Sequence, residues 1–128
     1  MKKPDESELR VNVADRFVDD NGKPDYWRLR VLGNDEYEQI RSDVLREING
    51  DLEDPAFISK FQDSITVASV VYPDLRDAEL QDFFGVNNPV ALVRAMLIPG
   101  ELQLLEEKVL EIHGLTKTLD QMVVEAKN

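Results

Sequence analysis

The stretch 68–100 constrains the fold of this chain more than any other part of the sequence. It combines dense apolar content with helix-breaking signals at Pro73, Gly85, Asn88-Pro89 and Pro99-Gly100. A proline cannot continue a helix and a glycine often ends one, so these signals divide the stretch into three short elements. Short elements that follow one another this closely need a shared hydrophobic core, and we expect the rest of the chain to pack around this stretch.

Helical spacing of apolar residues predicts two longer helices in the first half of the chain. The first is expected to begin at Asn34, as N-cap, and to end before Asn49-Gly50. The second is expected to begin at Asp54-Pro55 and to continue to Tyr72. Its last part, 65–71, is rich in β-branched residues, so a strand at 65–71 stays open as the alternative.

Shorter helices are expected in the second half of the chain. Aspartate and asparagine are favoured N-caps, proline is favoured at the first helical position and glycine just after the last one. These signals predict helices within 77–85, 88–99 and 100–114, and a last amphipathic segment that contains Leu119, Met122, Val123 and Ala126.

The N-terminal part is predicted to form a β-hairpin. Apolar and polar residues alternate over 9–13 and again over 27–31, which is the period of a half-buried strand. Asn21-Gly22 supplies turn residues between them, although Lys23-Pro24 indicates a loop longer than two residues.

The predicted fold class is therefore α+β and mostly helical, with an N-terminal β-hairpin followed by five or six short helices in one compact domain. Residues 1–8 are polar and are expected to form a flexible N-terminus. The remainder, 9–128, is expected to be a single domain, with the hairpin at 9–32 and the helical part at 34–128.

Charge and composition exclude several function classes. The formal net charge is −11, with 15 basic and 26 acidic residues. Proteins bind phosphate backbones and anionic membranes with Lys and Arg, so we expect neither nucleic acid nor membrane as a partner. The chain has no cysteine, which fits a reducing cytoplasm, and no apolar run long enough for a signal peptide or a membrane span.

Catalytic and metal-binding patterns are missing from the sequence. The single histidine, His113, precedes Gly114 at a predicted helix C-terminus, where an imidazolium gains from the helix dipole and can reach free carbonyls. The acidic turn 19–25 does not have EF-hand spacing, because Phe17 and Arg28 stand where calcium ligands are needed. The glycines form no phosphate loop. We expect no catalytic residue, no metal site and no cofactor, and therefore no enzyme.

Two interpretations are open for the apolar residues between Tyr72 and Phe84. Most of these residues are expected to fill the core. Alternatively, some of them stay accessible and capture an apolar segment of another protein, because aromatic residues held between proline and glycine breaks suit a rigid anchor. The candidate protein-binding residues are Tyr72, Leu75, Leu80, Phe83 and Phe84.

Several short motifs carry a resemblance to a known family. They are ASVVYPDL at 68–75, AELQD at 78–82, MLIPGE at 96–101, LEEKV at 105–109, EIHGL at 111–115, VEAKN at 124–128 and, more weakly, DDNGKP at 19–24 with WRLR at 27–30. With these motifs the chain resembles the XkdN-like family of phage tail assembly chaperones, found in PBSX-type defective prophages and related phages. The segment 48–61 matches least.

The resemblance implies a non-enzymatic binding protein in the host bacterial cytoplasm that is absent from the mature virion. The implied partner is the tape measure protein, followed by tail tube subunits and a longer chaperone product made by ribosomal frameshifting. Two alternatives stay open: a structural tail component of the virion, and an acidic DNA mimic motivated by charge alone. The sequence also leaves self-association open.

Overall fold

The computed structural model describes residues 9–51 and 53–115. Within these ranges the chain has the element order β1 (Arg10–Val11), β2 (Trp27–Leu29), α1 (Asn34–Glu47), α2 (Ala56–Ser69), β3 (Val70–Tyr72), α3 (Ala78–Phe83), α4 (Pro89–Met96) and α5 (Pro99–Ile112). The predicted fold class, α+β and mostly helical with an N-terminal hairpin, is confirmed. The predicted flexible segment 1–8 and the last amphipathic segment with Leu119 and Met122 lie outside the described residues.

The three strands form one antiparallel sheet in the order β1-β2-β3. Val11 pairs with Trp27, and Leu29 pairs with Val70, and all four of these side chains are buried. Alternate residues of a strand point to opposite faces, so this face of the sheet packs on the core while Arg28 lies on the other face.

The hairpin loop is longer than two residues, as its sequence indicates. The Asp19 carboxylate accepts hydrogen bonds from the backbone N–H groups of Asn21 and Lys23, at 2.8 and 3.0 Å. Gly22 has φ +75°, a conformation that glycine adopts without a steric penalty. The Asp19 carboxylate therefore acts in the turn chemistry of its own loop.

The second helix is shorter than the sequence predicts, and the prediction of a helix to Tyr72 is wrong. Helix α2 ends at Ser69 and strand β3 follows without a turn. Neither 65–71 alternative holds in full, because only the last residues of that segment leave the helix. The physical reason is a partner from far away in the sequence: the Arg30 backbone N–H donates to the Ser69 carbonyl at 2.8 Å, and Arg30 Nε donates to the Ala68 carbonyl at 3.1 Å.

Local capping signals fix most helix starts in the second half. Asp77 accepts from the Glu79 N–H at 3.0 Å and starts α3, and Asn88 accepts from the Ala91 N–H at 2.9 Å and starts α4. The prediction for α1 is wrong in detail, because Gly33, with no side chain to bond, occupies the N-cap position that we assigned to Asn34.

The core joins the inner face of the sheet to helices α2, α4 and α5. Leu92, Leu105 and Val109 are fully buried, and Trp27 and Ile65 are almost so. All five belong to one hydrophobic cluster. Helix α5 therefore has a buried stripe at 105 and 109, one helical turn apart, which is the spacing of residues on the same face.

His113 has a structural position at the end of α5. Its Nε2 accepts a hydrogen bond from the backbone N–H of Leu32 at 2.8 Å, and its Nδ1 lies 2.7 Å from the Val109 carbonyl. Since Nε2 accepts, Nδ1 carries the proton and donates to that carbonyl. The ring is thus neutral in this arrangement, unlike the imidazolium expected from the helix dipole, and it ties α5 to the segment after β2.

Candidate protein-binding surface

Helix α3 carries the most exposed large apolar side chain of the described residues. It spans six residues, Ala78–Phe83, and none of them is buried. Phe83, at its end, is 82% exposed. Gly85 has φ +69° and follows the helix, so the chain turns away and leaves Phe83 at a corner. An aromatic ring that is this exposed contributes little to the core and suits contact with another molecule.

The ring of Phe84 packs against the ring of Phe83. The two rings meet edge to face, with their centroids 5.1 Å apart. Phe84 is partly buried and packs against the core, as does Leu80 one turn earlier. The exposed ring of Phe83 is therefore held in position by a side chain that packs against the core. We call Leu80, Phe83 and Phe84 the α3 patch.

The other two predicted binding residues lie elsewhere. Leu75 is 1% exposed and belongs to the core cluster, so its side chain is not accessible to a partner. Tyr72, on β3, donates a hydrogen bond from its hydroxyl to Asp25 at 2.6 Å, and its ring lies 5.3 Å below the Arg28 guanidinium. The hydrogen bond to Asp25, followed by burial, raises the pKa of Tyr72. Tyr72 is thus engaged with the hairpin.

Exposed acidic residues lie close in sequence to the α3 patch. Asp74, Asp77, Glu79 and Asp82 lie in or just before the helix and are exposed, with Arg76 as the basic residue among them. An apolar centre with a charged rim is the usual anatomy of a protein interface.

A second surface, between helices α2 and α5, was not apparent from the sequence. It is a groove of about 550 Å³. Its lining comes from α2, the end of α4, and α5: Ser59, Gln62, Asp63, Arg94, Leu97, Pro99, Leu102, Gln103 and Glu106. We call it the α2–α5 groove. Residues from three elements build it, so no local pattern marks it.

The α2–α5 groove has two acidic side chains, of which Asp63 forms an ion pair and Glu106 forms none with the described residues. One nitrogen of Arg94, Nη2, donates to both carboxylate oxygens of Asp63, at 2.9 and 3.0 Å. Glu106 is partly buried, and burial followed by repulsion from Asp63 raises its pKa, although Arg94 opposes this. Within 9–51 and 53–115, no hydrogen bond or ion pair reaches the Glu106 side chain.

The part of the chain that the structure describes contains neither a group of potential metal ligands nor a helix suited to cross a membrane. There, no three histidine or acidic side chains are grouped closely enough to hold a metal ion. None of the helices in those residues has both the length and the apolar character to span a bilayer.

Comparison with known proteins decides the family. A family model described as "Phage XkdN-like tail assembly chaperone protein, TAC" matches residues 1–127. The chain belongs to this family. The resemblance seen in the sequence motifs is thereby confirmed.

The chain is similar to two proteins of Bacillus subtilis (strain 168). The "Phage-like element PBSX protein XkdN" is 26% identical, with 94% of this chain and 84% of the relative covered. "Uncharacterized protein YqbN" is 23% identical over the same shares. A crystal structure of the protein yqbn shares the fold, with a TM-score of 0.73 at 24% identity, over 88% of this chain and 89% of that one.

Proposed function

We propose that this family member is a non-enzymatic chaperone that keeps the tape measure protein of a phage tail soluble during assembly. The observation that carries the proposal is Phe83, an exposed phenylalanine on a helix without a buried residue. A chaperone of this kind must offer an apolar surface to its client and remain soluble itself. Phe83 supplies that surface at little cost to the fold.

The charge of the chain supplies the second requirement. At a net charge of −11, molecules of the chaperone repel one another, and a complex with a client inherits that repulsion. The acidic residues around the α3 patch place part of this charge beside the apolar contact. Attraction at the patch and repulsion elsewhere together favour a soluble complex over an aggregate.

The binding residues of the proposal follow from their exposure. Phe83 contacts the client, and Phe84 and Leu80 hold it in position. Leu75 supports α3 from the core, and Tyr72 contributes a separate aromatic surface at the sheet. Tail tube subunits are a second client, a frameshifted longer product is an additional partner, and the complex acts in the host cytoplasm without entering the virion.

Co-expression tests this proposal. The tape measure protein encoded beside this chain should be mainly insoluble when made alone and mainly soluble when made with the chain. Equal solubility in both cases, with no tape measure protein or tube subunit recovered by pull-down, would contradict the proposal. Stoichiometric amounts of the chain in purified particles would instead support a structural tail component.

A further inference from the structure

The α2–α5 groove has the form of a site for part of another protein. Its volume of about 550 Å³ lies in the range of roughly 300 to 1,000 Å³ that ligand sites in proteins occupy. Pro99 and Leu102 give it accessible apolar surface above the buried Leu97, and polar side chains of α2 and α5 also line it. Ile58 and Ile98, both exposed, directly neighbour lining residues in the sequence.

The charge of the groove selects the occupant. Asp63 and Arg94 neutralise each other through their ion pair. Glu106 adds one negative charge, partly withdrawn from water and without a hydrogen-bonding partner among the described residues. Water reaches this half-buried carboxylate, and a cationic side chain of a bound segment can replace that water with a charge-assisted hydrogen bond.

Lysine and arginine fit this combination of surfaces. Their stems are apolar and their ends are charged, so one such side chain can cover Pro99 or Leu102 and present its charge to Glu106. A bare metal ion fits less well, because the described residues gather no set of metal ligands here. An acidic segment would place like charge beside Glu106.

We infer that the α2–α5 groove binds a segment of the client protein in which a lysine or arginine is flanked by apolar residues, with the basic side chain paired to Glu106. This inference rests on the proposed chaperone function and adds a second contact surface to the α3 patch. The basic residue supplies orientation and specificity, while the flanking apolar residues cover the apolar surface of Pro99 and Leu102.

Peptide binding tests the inference. The probes are overlapping peptides of about 20 residues, which as helices span roughly 30 Å, covering the tape measure protein. Peptides captured by the wild-type chain should contain a lysine or arginine between apolar residues. Glu106→Gln should weaken their binding roughly tenfold, as for the loss of a partly buried charge pair.

Glu107→Gln is the matched control. Glu107 is the next residue of α5, is exposed and accepts a bond from Gln103 at 3.3 Å. Its neutralisation should change binding by less than about twofold, because exposed charges contribute little. When the basic residue of the peptide is replaced by glutamine, Glu106→Gln should have no further effect. Urea unfolding of both variants confirms that they are folded.

Three results would overturn the inference: captured peptides without a basic residue, equal binding by wild type and Glu106→Gln, or capture of no peptide. Co-expression separates these from failure of the proposed function. If the wild-type chain keeps the tape measure protein soluble and Glu106→Gln does so equally, the chaperone function stands and the groove contact is wrong. If the wild-type chain gives no increase in solubility, the chaperone function itself is wrong.

Discussion

Helices α3 and α4 are adjacent in the sequence and similar in construction, yet they have opposite roles. Each is short and each begins at a side-chain cap, Asp77 for α3 and Asn88 for α4. Helix α4 buries Leu92 and Val93 in the core, whereas α3 has no buried residue. Local chemistry therefore decides that a helix forms, and tertiary packing decides what the helix does.

This difference indicates where the molecule can accommodate a binding function. The inward residues of α4, Leu92 and Val93, cannot change without disturbing the core, because both are buried in the hydrophobic cluster. A residue such as Phe83 stabilises little in the free protein and is available for contact with a client. The following predictions test that division, from the largest expected effect to the smallest.

Charge substitutions should separate core from surface most strongly. Leu75→Asp places an unpaired carboxylate in the core and should cost about 4 kcal/mol or more, enough to unfold much of the protein. Phe83→Asp should change the free energy of unfolding by less than about 0.5 kcal/mol, because the side chain is exposed. Urea unfolding followed by circular dichroism measures the free energy of unfolding of both variants. Similar losses in the two would contradict the assignment of Leu75 to the core and Phe83 to the surface.

Truncation to alanine should also lower the free energy of unfolding more at a core position than at a surface position, although both losses should be smaller than that of Leu75→Asp. Leu92→Ala, at a fully buried position of α4, should cost about 3 kcal/mol through lost burial and a residual cavity. Leu80→Ala, at a partly buried position of α3, should cost about 1 kcal/mol. If Leu80→Ala costs as much as Leu92→Ala, α3 is part of the core and the comparison is wrong.

The two N-caps form a matched pair. Asn88→Ala should lower the free energy of unfolding by about 1 kcal/mol, the usual effect of a lost cap. Asp77→Ala should lower it by only about 0.5 kcal/mol, since α3 can fray without exposing the core. Hydrogen exchange of the α3 and α4 amides shows whether the first helix opens separately; equal protection of both would contradict this.

In the α2–α5 groove, removing the charge of Glu106 should slightly stabilise the protein, whereas the substitutions above destabilise it. Burial, followed by Asp63, raises the pKa of Glu106 in the folded state above the ordinary value of 4.5. The folded protein therefore binds this proton at higher pH than the unfolded chain, and the related stability is present at low pH and lost as the pH rises through the raised pKa.

Glu106→Gln should consequently be slightly more stable than the wild type at neutral pH. The difference should shrink as the pH falls below about 4.5, where the wild-type side chain is neutral in both states. Thermal unfolding at a series of pH values measures it, with Glu107→Gln as the control. A less stable Glu106→Gln at neutral pH would show that Glu106 already has a stabilising partner.

The sequence predicts those parts of the fold that depend on neighbouring residues. Caps at Asp77 and Asn88 and the glycine turns at Gly85 and Gly114 are determined within a few residues, and the structure has all four. The alternating pattern of 27–29 likewise predicts β2 and its buried face, because the period of a strand is visible locally.

Features that need a distant partner were beyond the sequence. Strand β3 exists because Arg30, 39 positions earlier, bonds to Ser69, and strand β2 pairs with the residues that follow. Leu75 and Phe83 are both apolar residues near breaks, and only the packing of the whole molecule buries one and exposes the other. The α2–α5 groove depends on the same kind of information, since three elements line it.

Binding of the tape measure protein by the α3 patch is measured most directly by co-purification. Tagged wild-type chain, Phe83→Ser and Val18→Ser are each co-expressed with the tape measure protein, and the amount that co-purifies is quantified. Val18 is another exposed apolar residue, at 52%, in the hairpin loop. We predict that wild type and Val18→Ser recover similar amounts and that Phe83→Ser, equally stable, recovers far less. Equal recovery by all three would contradict the account.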